Sequence, residues 1–205
     1  MSMNARPIPQ SHAVRGFTLV ELMVALVVGL IVVLAATAFV VSVAKANSEN
    51  IQVTRLTQEL RSLSEVMGRE LRRARYVADP VGLIGTGGTP NHDVITLNAG
   101  GDCIVFGYDE PPDPPSPAVA VSRSIRLSGT DILLNPDGAD CTGGNVINSP
   151  QVQITALQFV QDVASPSRYD ITLTGRLTTP PPGSALDGLT RTFRQTVYVR
   201  SGQVD

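Results

Sequence analysis

Histidine is scarce in this chain, two residues in 205, and beyond the first fifty positions only His92 remains. With so little imidazole, the commonest routes to an enzyme close. There is no G-x-S-x-G, no H-E-x-x-H and no glycine-rich loop that opens a helix, so neither a nucleophile with its base nor a catalytic metal assembles. Gly85-Thr86-Gly87-Gly88 is loop composition, since no helical pattern follows it. Cysteine is equally sparse: Cys103 and Cys141 stand alone and lack zinc-ligand spacing. Asn135-Pro136-Asp137-Gly138-Ala139-Asp140 departs from the EF-hand pattern and reads as a turn rather than a calcium loop. No metal and no cofactor is implied. A formal net charge of −2 gives no global reason to expect nucleic acid or an acidic surface as partner.

What the chain does have is a long apolar run. Leu22 to Val41 is free of charge, and 20 residues of helix at a rise of about 1.5 Å each cross a hydrocarbon core of roughly 30 Å. Arg6 and Arg15 precede it, with no acidic residue before Glu21, so the positive-inside bias puts the short leader in the cytoplasm and everything after Lys45 outside. Glu21 lies about one turn into the apolar helix. A lone carboxylate there costs on the order of 2.5–3.5 kcal/mol on insertion scales, less near the interface, which marks it as a functional candidate. Ala36-Thr37-Ala38 offers the A-x-A-like site of an ordinary secretory signal, but the apolar run continues past it through Phe39, Val40 and Val41.

The residues Arg15-Gly16-Phe17-Thr18-Leu19-Val20-Glu21 resemble the class III signal of type IV pilins and pseudopilins. The resemblance implies that prepilin peptidase cuts between Gly16 and Phe17 and methylates the new amino terminus of Phe17. It implies that Glu21 then pairs with the Phe17 ammonium of a neighbouring subunit, each charge being expensive in lipid alone. The partners implied are the peptidase, other major and minor pilins through the N-terminal helix, the inner-membrane assembly platform, and membrane lipid before assembly. The subunit would begin as a single-pass inner-membrane protein with a cytoplasmic N-terminus and end in the periplasm or in a cell-surface pilus.

Beyond the apolar run, Val53, Leu56, Leu60, Leu63, Met67 and Leu71 recur at steps of three and four, one apolar stripe of an amphipathic helix. Arg55, Glu59, Arg61, Glu65, Arg69 and Arg72 occupy the other faces, Glu65 and Arg69 at the favourable i,i+4 spacing. A helix is expected from about Phe17 to Tyr76, with Gly68 its weak link and Asn47-Ser48-Glu49-Asn50 a low-propensity joint. Arg69, Arg72, Arg73 and Arg75 crowd its end and invite a nucleic-acid reading. Without interleaved aromatics, a solvated face complementing the helix dipole is the better account.

After Asp79-Pro80 the texture changes to short alternating runs between Gly, Pro, Asn and Asp, the pattern of antiparallel strands. Strands are expected at 93–98, 103–108, 119–127, 131–134, 152–160, 169–177 and 192–200, with a bulge near Ile154–Leu157 where the alternation changes phase. The proline-rich stretches Glu110–Pro117 and Thr179–Gly183 read as stiff exposed loops. Both cysteines fall on the exported side, where oxidation is permitted; a Cys103–Cys141 bridge is expected, two buried thiols being the alternative.

The expected organisation is a leader at 1–16, a transmembrane or filament-core helix at 17–45, its amphipathic half at 46–76, and a β-rich domain at 77–205. The fold class is α+β and pilin-like, a long N-terminal helix laid by its second half on an antiparallel sheet of six or seven strands. Asp102–Asp109 together with Leu71–Tyr76 is similar to minor pilins of the PilW group, whose nearest relatives are the J-type minor pseudopilins of type II secretion. The function implied is a minor type IV pilin that enters a pilus or primes its assembly. The alternatives are a J-type pseudopilin, and a pilus-borne adhesin or DNA-binding subunit.

Overall fold

The computed structural model describes residues 16–78, 94–110, 119–180 and 183–199. The expected leader up to Arg15, His92, Gly85–Gly88 and most of the first proline-rich stretch lie outside the described residues. One helix, α1, runs from Leu19 to Arg73, and the chain divides into two compact units between Asn47 and Ser48.

In the first unit α1 is apolar on every side. Every described residue from Gly16 to Ser48 is exposed, and the helix is long and apolar enough to cross a membrane. Such uniform hydrophobicity suits lipid or a core of like helices, and has no use on a soluble surface.

The second unit joins the amphipathic part of α1 to eight strands: β1 (Thr96–Leu97), β2 (Cys103–Glu110), β3 (Val119–Ser128), β4 (Asp131–Asn135), β5 (Asn145–Val146), β6 (Val152–Gln161), β7 (Arg168–Leu177) and β8 (Thr190–Tyr198). All pairings are antiparallel, but the strands form two sheets, β1-β2-β3-β4-β5 and β6-β7-β8, where the sequence pattern suggests one. The sheets meet at the outer edge of β6 through isolated backbone bonds, Ile154 N–H to Thr130 O at 2.9 Å and Phe159 N–H to Gly101 O at 2.7 Å. The expected bulge is present as a register shift between Ile154 and Ala156. The strand expected at 93–98 shortens to Thr96–Leu97, and β5 has too little alternation to be seen in the sequence.

One core serves both sheets. Leu56, Leu60, Leu63, Met67 and Leu71 of α1 are buried against Ile104, Phe106 and Tyr108 of β2, Ile125 of β3, Ile154 and Phe159 of β6, and Tyr169, Ile171 and Leu173 of β7. Burying each such side chain stabilises the fold by about 1.5–3 kcal/mol, so the stripe dominates the adhesion of the helix. Val53, at the head of the stripe, is only half-buried.

Two glycines set how closely the helix lies. At Gly175 of β7 a Cβ would stand 2.9 Å from Leu60 Cδ2 and 3.1 Å from the Gln153 carbonyl oxygen. At Gly68 it would stand 2.9 Å from Gln195 Nε2, whose Oε1 accepts a 2.6 Å bond from Ser64 Oγ. Gly68, a weak link by helix propensity, is therefore where the Gln195 side chain of β8 fits against the helix.

The helix stops three residues earlier than its expected end at Tyr76. Arg75 takes a left-handed conformation, φ 61°, and its N–H donates to Gly107 O at 2.8 Å. Asp109 N–H donates to Tyr76 O at 2.8 Å, so the chain leaving the helix pairs with β2 instead of extending the spiral.

Candidate processing and assembly site

Thr18 caps the helix on which the site is built. Its Oγ1 accepts a bond from Glu21 N–H at 3.2 Å, and its carbonyl accepts from Leu22 N–H at 3.1 Å. Thr18-Leu19-Val20-Glu21 has the T-x-x-E spacing of a capping box, a signal readable from sequence that the motif's other meaning obscures. Gly16 and Phe17 consequently lie outside the helix, and Phe17 is 82% exposed. A protease takes its substrate extended, and the Gly16–Phe17 bond is free of the helical hydrogen bonds that would resist this. Glu21 lies in the first turn, where the helix dipole favours a carboxylate.

The second pair of site residues is joined. Cys103, buried at the start of β2, and Cys141, in the loop after β4, form a disulfide with Cα atoms 6.1 Å apart. Asn135, Asp140 and Thr142 order the loop from within. Asn135 Oδ1 accepts from Asp137 N–H at 3.1 Å and its Nδ2 donates to Thr142 O at 3.0 Å. Asp140 Oδ1 accepts from Thr142 Oγ1 at 2.6 Å and Thr142 N–H at 3.0 Å, bonds that hold its carboxyl below the usual range. These oxygens serve the turn. Among the described residues no three His, Cys, Asp or Glu side chains gather as a metal site.

The four arginines expected on one solvated face separate. Arg69 and Arg72 are exposed. Arg73 lies with its guanidinium 4.5 Å from the Tyr108 ring centre and 3.6 Å from Glu70 Oε2. Arg123 of β3 reaches the same carboxylate at 3.0 Å and lies 5.3 Å from the same ring. Burial pushes the Tyr108 hydroxyl above its ordinary pKa, while both guanidiniums pull the other way. Glu70 and Arg123 belong to no sequence pattern, and nothing short of strand pairing could have joined them. Nor does Glu65 take Arg69: it pairs with Arg61 at 3.0 Å, both side chains well exposed. Arg75 forms the helix-ending turn.

The model of a family described as prepilin peptidase-dependent protein B matches residues 49–199. The prokaryotic N-terminal methylation motif matches residues 11–37. No curated protein matches the chain. Among solved structures, a type IV-like pilin from Thermus thermophilus is similar at 16% identity and a TM-score of 0.48, covering 71% of this chain and 95% of that one.

Proposed function

The chain belongs to the prepilin peptidase-dependent protein B family, within the type IV pilin superfamily, and on that premise we propose that it is a minor type IV pilin. It is a structural subunit, and the chemistry is done to it. Prepilin peptidase removes the leader at the Gly16–Phe17 bond and methylates Phe17. The subunit waits in the inner membrane on the apolar part of α1, its domain outside, and enters or primes a pilus from there. The observation that carries the reading is the match of residues 11–37 to the methylation motif, on an exposed apolar helix that continues into the matched domain.

Charge explains why Glu21 belongs to this scheme. Cleavage creates an ammonium at Phe17, one residue ahead of the Thr18 cap, at the positive end of the helix dipole. A cation there is disfavoured by about 0.3–1 kcal/mol, more where water is thin, and the carboxylate of a neighbour's Glu21 relieves it. That relief exists at one axial offset between helices, which sets their stagger.

Mass spectrometry of the purified protein tests the reading, with N-methyl-phenylalanine from Phe17 as the expected terminus. An intact Met1, or a start at Phe39, would sink it. A deletion strain identifies the machine: the chain should restore pilus number. Restored type II secretion without pili would make it a J-type pseudopilin instead. The exposed Arg69 and Arg72 leave the DNA-binding reading a test, loss of salt-sensitive binding on neutralising them.

A further inference from the structure

Among the described residues, strand β8 ends its sheet with no strand on its outer side, and we propose that this edge takes an acidic, extended segment of another protein as an added strand. The inference rests on backbone geometry and charge, not on the role proposed for the chain in a filament.

The hydrogen-bond phase of β8 follows from one bond. Val199 N–H donates to Ser167 O at 2.8 Å, so odd-numbered residues of β8 direct their backbone groups to β7. The register agrees, pairing Val197 with Tyr169, Gln195 with Ile171 and Phe193 with Leu173. The opposite side of β7 is consistent: Arg168 there donates to Ser165 O and accepts from Asp162 N–H. Thr192, Arg194, Thr196 and Tyr198 must then point their N–H and C=O groups away from the sheet. Among the described residues no backbone partner meets them, whereas the other outer edge of this sheet, β6, is bonded to Gly101 and Thr130. Strand β8 has nine residues and no proline, which is enough for a full added strand.

Charge selects the occupant. Between Thr190 and Val199 the chain carries Arg191 and Arg194 and no carboxylate. On α1, Ser64 and Gly68 meet Gln195 of β8. At 100° per residue the next positions outward round the helix on that side are Arg61, Arg72, Glu65 and Arg69, all exposed. Glu65 is occupied by Arg61. Asp170, the nearest carboxylate on β7, is engaged by Arg168 at 3.2 Å and by Thr196 Oγ1. A second copy adding its own β8 in the register centred on Arg194 would set Arg194 against Arg194, and every register adds positive charge to an edge without a free carboxylate, whereas an acidic strand is complementary to it.

The test uses the full chain in detergent micelles and two eight-residue peptides, one alternating glutamate with threonine and one alternating lysine with threonine. Amide exchange is followed residue by residue. With the acidic peptide, exchange at Thr192, Arg194, Thr196 and Tyr198 should slow at least tenfold; with the basic peptide it should not change. Arg194→Pro removes an outward N–H while sparing the β7 ladder, and should abolish the slowing with Phe193 and Gln195 still protected. If that variant loses the ladder, Arg191→Glu with Arg194→Glu decides: the preference should reverse to the basic peptide. No slowing by the acidic peptide, or equal slowing by both, overturns the proposal. So does slowing that appears without peptide as protein concentration rises, which would mean self-pairing.

Discussion

The two parts of α1 are one continuous helix and obey different rules. From Leu19 to Asn47 the sequence is apolar all round and every side chain is exposed within the chain. From Ser48 to Arg73 most apolar residues fall on one stripe, and that stripe is buried to within a few per cent at Leu56, Leu60, Met67 and Leu71. The first part gains nothing from its own fold and needs an environment supplied by lipid or other helices. The second gains its stability from the domain. Hydrophobicity by itself therefore says little about burial; its distribution round the helix says where the partner is.

Substitutions in the two parts should separate them, measured as denaturant unfolding of the full chain in micelles. Leu60→Ala truncates a buried side chain and should cost about 2–5 kcal/mol, while Leu30→Ala, exposed in the first part, should leave domain unfolding unchanged. Comparable losses at both would break the distinction. Replacing Cys103 and Cys141 by serine together should cost up to about 4 kcal/mol for the separation of 38 residues, with α1 content by circular dichroism retained.

Gly175→Ala should cost about 1–3 kcal/mol, because its Cβ meets Leu60 and the fixed Gln153 carbonyl. Gly68→Ala should lie within about 1 kcal/mol of neutral: the Gln195 side-chain end can move, and alanine improves helix propensity. A larger loss at Gly68 than at Gly175 would mean that the Ser64–Gln195 bond matters more to docking than the Leu60 approach. The smallest effect belongs to Asp140. Its pKa is lowered, chiefly by the Thr142 hydroxyl, so its contribution is present above the unfolded value near 3.8 and fades as pH falls through the lower folded one. An NMR titration should place the carboxyl midpoint below 3.8, and Thr142→Val should raise it.

The methylation motif matched over residues 11–37 was legible because its signal is local. Gly16, Phe17 and Glu21 lie within one short segment, and the Thr18 cap that leaves the Gly16–Phe17 bond outside the helix is spelled three positions before Glu21. The stripe Leu56 to Leu71 and the long strands β2, β3, β6 and β7 are equally local, each a periodicity within one segment. Less legible were the partners of charged groups. Arg73 shares the solvated spacing of Arg69 and Arg72, yet it lies over Tyr108 because β2 passes beneath the end of the helix. Glu65 could pair with either Arg61 or Arg69, and helical spacing alone does not choose between them.

The sequence by itself determined the long apolar helix, its amphipathic continuation, the bulge near Ala156 and the residues of the methylation motif, since each depends on neighbours within a few positions. Only the tertiary structure decided that the strands divide into two sheets, that Glu70 joins Arg73 to Arg123, and that among the described residues β8 has no strand on its outer side. Those outcomes depend on which distant segments pair. The pleat repeats every two residues in every strand, so it records which face is buried and not which strand lies alongside.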